Sequence, residues 1–151
     1  MILNTLDKVG FRLHETHDFS WLKRYGTAFA AFDETGSGCI GIGMQDNDRK
    51  VFCKIAGVNP IFGEISPQES IQVLKKAVEI YQDLQHPNLI KLIEHYSYDS
   101  FYVSVFEWEN GACLFDHWNF EKYKVLLKAV NPEKSKRYKT ISHFWNSWKN
   151  D

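Results

Sequence analysis

The stretch from Ser66 to Pro87 constrains this chain more than any other. Ser66-Pro67-Gln68-Glu69 carries the marks of a helix start: a capping hydroxyl, a proline at the first helical position, and a glutamate three residues after the serine. Apolar residues recur at Ile71, Leu74, Val78, Tyr81 and Leu84, with Ala77 on the same side, which is helical spacing. Proline disfavours helical geometry in the residue ahead of it, so the helix must stop before Pro87. One capped, amphipathic helix is therefore fixed in place.

Its flanks read as strands. YGTAFAAFD, within 11–33, is a strand candidate, and CIGIGMQ (39–45) sets Ile40, Ile42 and Met44 on one face with small residues on the other. KVFCKIAG (50–57) is the third strand, and ETGSG and DNDR supply the turns between them. VNPIFGEISP is a loop, broken by Pro60, Gly63 and Pro67. After the helix, LIKLIEHYSYD and SFYVSVFEWE give two more strands. The expected class is α+β: a five-stranded antiparallel sheet with one helix inserted between the third and fourth strands.

Residues 111–151 change character. GACLFDHW can start a short helix, Pro132 divides the segment, and Ile141, Phe144, Trp145 and Trp148 beyond it form a helical aromatic stripe. Such a stripe serves core packing or a partner interface. The chain thus divides into a domain at 1–118 and a helical C-terminal extension at 119–151.

At 151 residues, 44% of them hydrophobic, the chain can bury a core without staples. Its net charge of −1 gives no electrostatic footprint for nucleic acid, and no apolar run is long enough to imply a membrane partner. Cys39, Cys53 and Cys113 are odd in number and widely spaced, which fits reduced thiols in a cytoplasmic setting and not a zinc site.

Two features carry chemistry. Gly36, Gly38 and Gly41 fit G-x-G-x-x-G. A dinucleotide site needs a helix after the last glycine, and here a strand occupies that place. A glycine hairpin can instead bring backbone N–H groups close to phosphate oxygens, or be an ordinary turn. Lys54, flanked by Phe52, Cys53 and Ile55, is either an inward cation that needs a partner or a solvent-facing lysine.

The order of these features resembles the N-terminal lobe of the protein kinase superfamily, nearest in flavour to bacterial serine/threonine kinase-like proteins with degenerate motifs. Gly36–Gly41 resembles the glycine-rich hairpin, and VFCK the strand with the phosphate-pairing lysine. LQHPNLI resembles the L-x-H-P-N-I-V that closes the lobe's helix, and VFEWENG with Leu114-Phe115-Asp116 resembles the hinge. The likeness covers about residues 20–118. It implies that Gly36, Gly38 and Gly41 cover phosphate and that Lys54 pairs with it. It also implies that Phe106 backs the adenine pocket, and that the Glu107 carbonyl and the Glu109 amide meet the ring. The His-Pro-Asn join would cap the helix and turn the chain into the fourth strand.

The chain departs from the family in two ways. Counting back from Leu84 puts Ala77 where the lysine's glutamate partner belongs, and Glu79 lies about 200° further round the helix. Neither H-R-D-x-x-x-x-N nor D-F-G occurs, so the catalytic base and the magnesium ligands are missing, and residues 119–151 are too few for a second lobe. No catalytic or metal residues are expected. His86 and His95 read as a turn and a strand-end residue. ATP contact would be partial, with magnesium lacking its usual ligands.

Three functions compete: a kinase-like lobe, as a fragment or shortened gene, with a residual ATP surface; a catalytically dead module that self-associates through the hinge side and the aromatic tail; and an unrelated α+β ligand-binding protein.

Overall fold

The computed structural model describes residues 1–84, 86–87, 89–111 and 120–150. The chain opens on a hairpin not expected from the sequence, β1 (Ile2–Leu6) and β2 (Val9–Leu13). Its turn uses Asp7 at φ 53°, not the glycine that signals most tight hairpins. A 3-10 helix at Ser20–Tyr25 comes next.

The central sheet comprises β3 (Thr27–Phe32), β4 (Cys39–Asp46), β5 (Arg49–Ala56), β6 (Leu92–Tyr98) and β7 (Phe101–Glu107). Its strands lie in the order β3-β4-β5-β7-β6, all antiparallel. The helix α1 (Pro67–Asp83) enters between β5 and β6, the third and fourth strands of this sheet, as expected.

Alternation gives the sheet two faces. One carries Ile40, Ile42 and Met44 of β4, Val51, Cys53 and Ile55 of β5, and Val103 and Val105 of β7. The N-terminal segment covers it with Leu6, Phe11, Leu13, Phe19 and Leu22, all buried. Burying each such side chain contributes roughly 1.5–3 kcal/mol, so this layer is the main core. Polar anchors fix the segment. Asp7 accepts from the Ala28 amide at 2.7 Å, and Asp33 accepts from the Arg12 amide at 2.7 Å and from its guanidinium at 3.0 and 3.2 Å. Arg24 is held between the rings of Tyr25 and Tyr96, each 4.8 Å away, and donates to both Glu94 oxygens at 3.2 Å.

The second face receives α1. Leu74 and Val78 pack there with Cys39, Ala56 and Tyr102, and Ile71 and Leu92 border them. The helix start is a full capping box: Ser66 Oγ accepts from the Glu69 amide, and the Glu69 carboxylate accepts from the Ser66 amide. Ser66 Oγ also donates to the Glu69 carboxylate at 2.7 Å, and this bond, with the one from the Ser66 amide, holds the Glu69 carboxyl below its ordinary range. Ser70, fully buried, accepts from the Gly57 amide at 3.0 Å and donates to the Pro67 carbonyl, tying the helix to the end of β5. The helix ends at Asp83 with extended backbone at Leu84, before Pro87. The Leu89 amide then bonds back to the His86 carbonyl at 3.0 Å. Asn88 lies outside the described residues.

Residues 1–109 form one compact unit and 110–151 another. The expected boundary at 118 and the GACLFDHW segment from 112 onward lie outside the described residues. The second unit contains α2 (Phe120–Ala129) and α3 (Ile141–Asn150). Thr140 caps α3 by accepting from the His143 amide, and the ring of Phe144 packs on those of Trp148 and Tyr138. Ile141 and Trp145 stay exposed, at 86% and 49%. The aromatic stripe therefore splits between packing and solvent. Among the described residues, no helix is long and apolar enough to cross a membrane.

Candidate functional site

Lys54 lies on the helix-bearing face of the sheet, not the face closed by the N-terminal segment. Its cross-strand partners are Gly41 on β4 and Ser104 on β7. Phe52 and Phe106 are themselves paired, and strand alternation puts them on the same face as Lys54. The structure thus brings Lys54, Gly41 and Phe106 to one surface. Lys54 is half-buried and makes no ion pair among the described residues. Ala77 and Glu79 are both exposed, and among the described residues no ion pair joins Lys54 to a carboxylate of α1.

Each glycine of the G-x-G-x-x-G stretch has a different neighbour. Gly36 is exposed in the turn, and a Cβ there would lie 3.1 Å from the Glu64 side chain. Gly38 has φ +68°, and a Cβ would meet Ile65 at 2.8 Å and Ser70 at 2.9 Å. It must be small because the helix start packs against it. Gly41 is not in the turn at all but in β4, where a Cβ would come within 2.4 Å of the Phe52 ring.

That ring belongs to a cluster not expected from the sequence. Phe52 lies 5.8 Å from Phe32 and 6.4 Å from Trp108, and Trp108 meets Phe29 edge-on at 4.7 Å. Phe29 and Trp108 together occupy the space above Gly43. The glycine strip of β4 is therefore the floor on which four aromatic side chains rest. Alternation alone places Phe52 beside Lys54, so this signal was present in VFCK.

At the end of β7, Glu107 donates its amide to the Lys91 carbonyl at 2.9 Å and pairs its carboxylate with Lys91 at 3.2 Å. Trp108 donates its amide to the Lys50 carbonyl, which binds the segment after β7 to β5. Glu109 is exposed. The ring of Phe106 meets Tyr81 of α1 at 5.3 Å.

His95 lies mid-strand in β6, not at its end. Its Nε2 meets the Gln82 side-chain amide, and its Nδ1 meets the Tyr102 hydroxyl, both at 2.9 Å. It thereby joins α1, β6 and β7. Burial raises the Tyr102 hydroxyl above its ordinary range, with the negative charge of Glu79 adding to the effect. Near this junction a groove of about 960 Å³ opens between the end of α1 and β6, lined by Tyr81, Leu84, Leu89, Ile90 and Leu92. Lys54 does not line it.

Of the three cysteines, Cys39 and Cys53 are buried and free, and Cys113 lies outside the described residues. Burial pushes the Cys53 thiol up to about 12 and raises that of Cys39. Among the described residues no cluster of His, Cys, Asp or Glu is arranged to hold a metal ion. No protein-family model matches the chain, and no curated protein matches it.

Proposed function

We propose that the domain at 1–118 is a protein-kinase-like N-lobe with a residual ATP-contacting surface centred on Lys54, inactive in phosphoryl transfer as the chain stands. The observation that carries this reading is the half-buried Lys54, without an ion pair among the described residues, on the helix-bearing face, opposite Gly41 and on the same face as Phe106. A half-buried ammonium without a counter-charge favours an anion beside it. The glycines, Phe106 and the hinge at Glu107 and Glu109 are the remaining parts of the proposed surface. Contact is weak, because Phe52 and Trp108 already cover the β4 strip and Glu64 sets a carboxylate against Gly36. The absence of H-R-D and D-F-G from the sequence argues against transfer, and magnesium is not part of the proposal. Buried free thiols at Cys39 and Cys53 support a reducing, cytoplasmic setting. The test is thermal melting with ATP, expected to rise for the native chain and to stay flat for Lys54→Ala.

A second reading has support of its own. Leu84, Leu89 and Ile90, exposed at 49%, 39% and 45%, line the groove beside the hinge, and Ile141 and Trp145 are exposed on α3. These surfaces suit a module that pairs with a second copy of itself. Sedimentation of the native chain across a concentration series tests it, a constant monomer mass ruling it out.

A further inference from the structure

We propose that Ser104 positions Lys54, in the role a helix carboxylate would otherwise fill. The two residues are directly opposed in the β5–β7 ladder, so their side chains leave the sheet on one face. Opposed Cβ atoms sit about 4.5–5.5 Å apart, within easy reach of a lysine stem. Ser104 is fully buried, and its Oγ has no hydrogen-bond partner. A buried hydroxyl left unpaired carries a desolvation cost that a hydrophobic residue of the same size would avoid.

The nearest polar neighbour of Ser104 across the β6–β7 ladder is already engaged. His95, the cross-strand neighbour of Ser104 on β6, uses both ring nitrogens on Gln82 and Tyr102. Ser104 Oγ is an unpaired acceptor on the face from which Lys54 leaves the sheet, and rotation about the lysine's side-chain bonds brings the two together. A hydroxyl is a neutral partner. It fixes the direction of the ammonium without supplying a counter-charge, which leaves that role to an anion. This step deepens the nucleotide reading above and rests on it for its ligand.

Two measurements on the full chain separate the inference from that reading. The first needs no ligand: the rate at which an amine-reactive ester labels Lys54 at fixed pH, read by peptide mass spectrometry. Ser104→Ala should label at least about threefold faster, because a hydrogen bond to a charged group is lost, and Ser104→Thr should stay within about twofold of native. Equal rates for native and Ser104→Ala overturn the inference, whatever nucleotide does. The second is an ATP titration followed by melting temperature. Ser104→Ala should shift the midpoint to about five- to tenfold higher ATP, with Thr restoring it. Loss of the ATP effect in Lys54→Ala with no change in Ser104→Ala overturns the role of Ser104 and leaves the nucleotide reading standing. No ATP effect in the native chain removes that reading, and the labelling rates still decide Ser104.

Discussion

The ring of Phe52 lies across Gly41, so close that a Cβ on Gly41 would come within 2.4 Å of it. Gly41→Ala must therefore push Phe52 aside and disturb its contacts with Phe32 and Trp108. Overpacking of this kind costs about 1–3 kcal/mol, to be read from urea denaturation of the two proteins.

Removing the ring has the opposite consequence for ligand access. Phe52→Ala uncovers the β4 strip beside Lys54, and the ATP-dependent rise in melting temperature should be larger in this variant than in the native chain. An equal or smaller rise would show that Phe52 does not limit contact.

The capping box makes a separable contribution to α1. Ser66→Ala removes the acceptor for the Glu69 amide and should lower stability by about 1 kcal/mol, measured by denaturant unfolding. Helicity should fall only at the first turn, visible as faster amide exchange there.

Acid stability should depend on Asp33. Burial alone would raise its carboxyl, but the hydrogen bonds and charge of Arg12 outweigh this and hold it below the ordinary aspartate range. A carboxyl depressed in the folded state contributes stability that is complete above its unfolded value, about 3.9, and is lost as pH falls through the folded value. Asp18 and Glu69, held low by bonds from Ser20 and Ser66, act in the same direction. Asp33→Asn should be less stable than native at neutral pH, and the difference should shrink at pH values below the folded-state value of Asp33.

Cys53 reports on opening of the core. It is fully buried, with its thiol pushed up to about 12, so a thiol reagent should not reach it in the native state. Its labelling rate should track the unfolding free energy across a urea series. Rapid labelling in native buffer would contradict the packing of this face.

Much of the sheet was legible because its pattern is local. Ile40, Ile42 and Met44 alternate with Cys39, Gly41 and Gly43, and the structure puts the first set in the core. The bounds of α1 could be read from Ser66, Pro67 and Pro87, which act within a turn or two of their own positions. The hairpin at Ile2–Leu13 was missed because its turn lacks glycine and each strand spans only five residues. Leu89–Lys91 read as strand from their apolar character, yet β6 begins at Leu92, after the turn over Pro87 has been completed. Lys54, Gly41 and Phe106 could be named from sequence, but the opposition of Lys54 and Ser104 could not. It depends on the register of two strands about fifty residues apart, which no local pattern sets.

The most direct test of the nucleotide surface is ATP binding compared between the native chain and Lys54→Ala, monitored by melting temperature at about fivefold excess of ATP over its dissociation constant. The native protein should rise by roughly 2–4 °C, the shift expected for about 1 kcal/mol of linked stabilisation in a chain of this size, and Lys54→Ala should not move. A native chain that fails to rise at millimolar ATP, or a Lys54→Ala variant that rises equally, would contradict a nucleotide surface at Lys54.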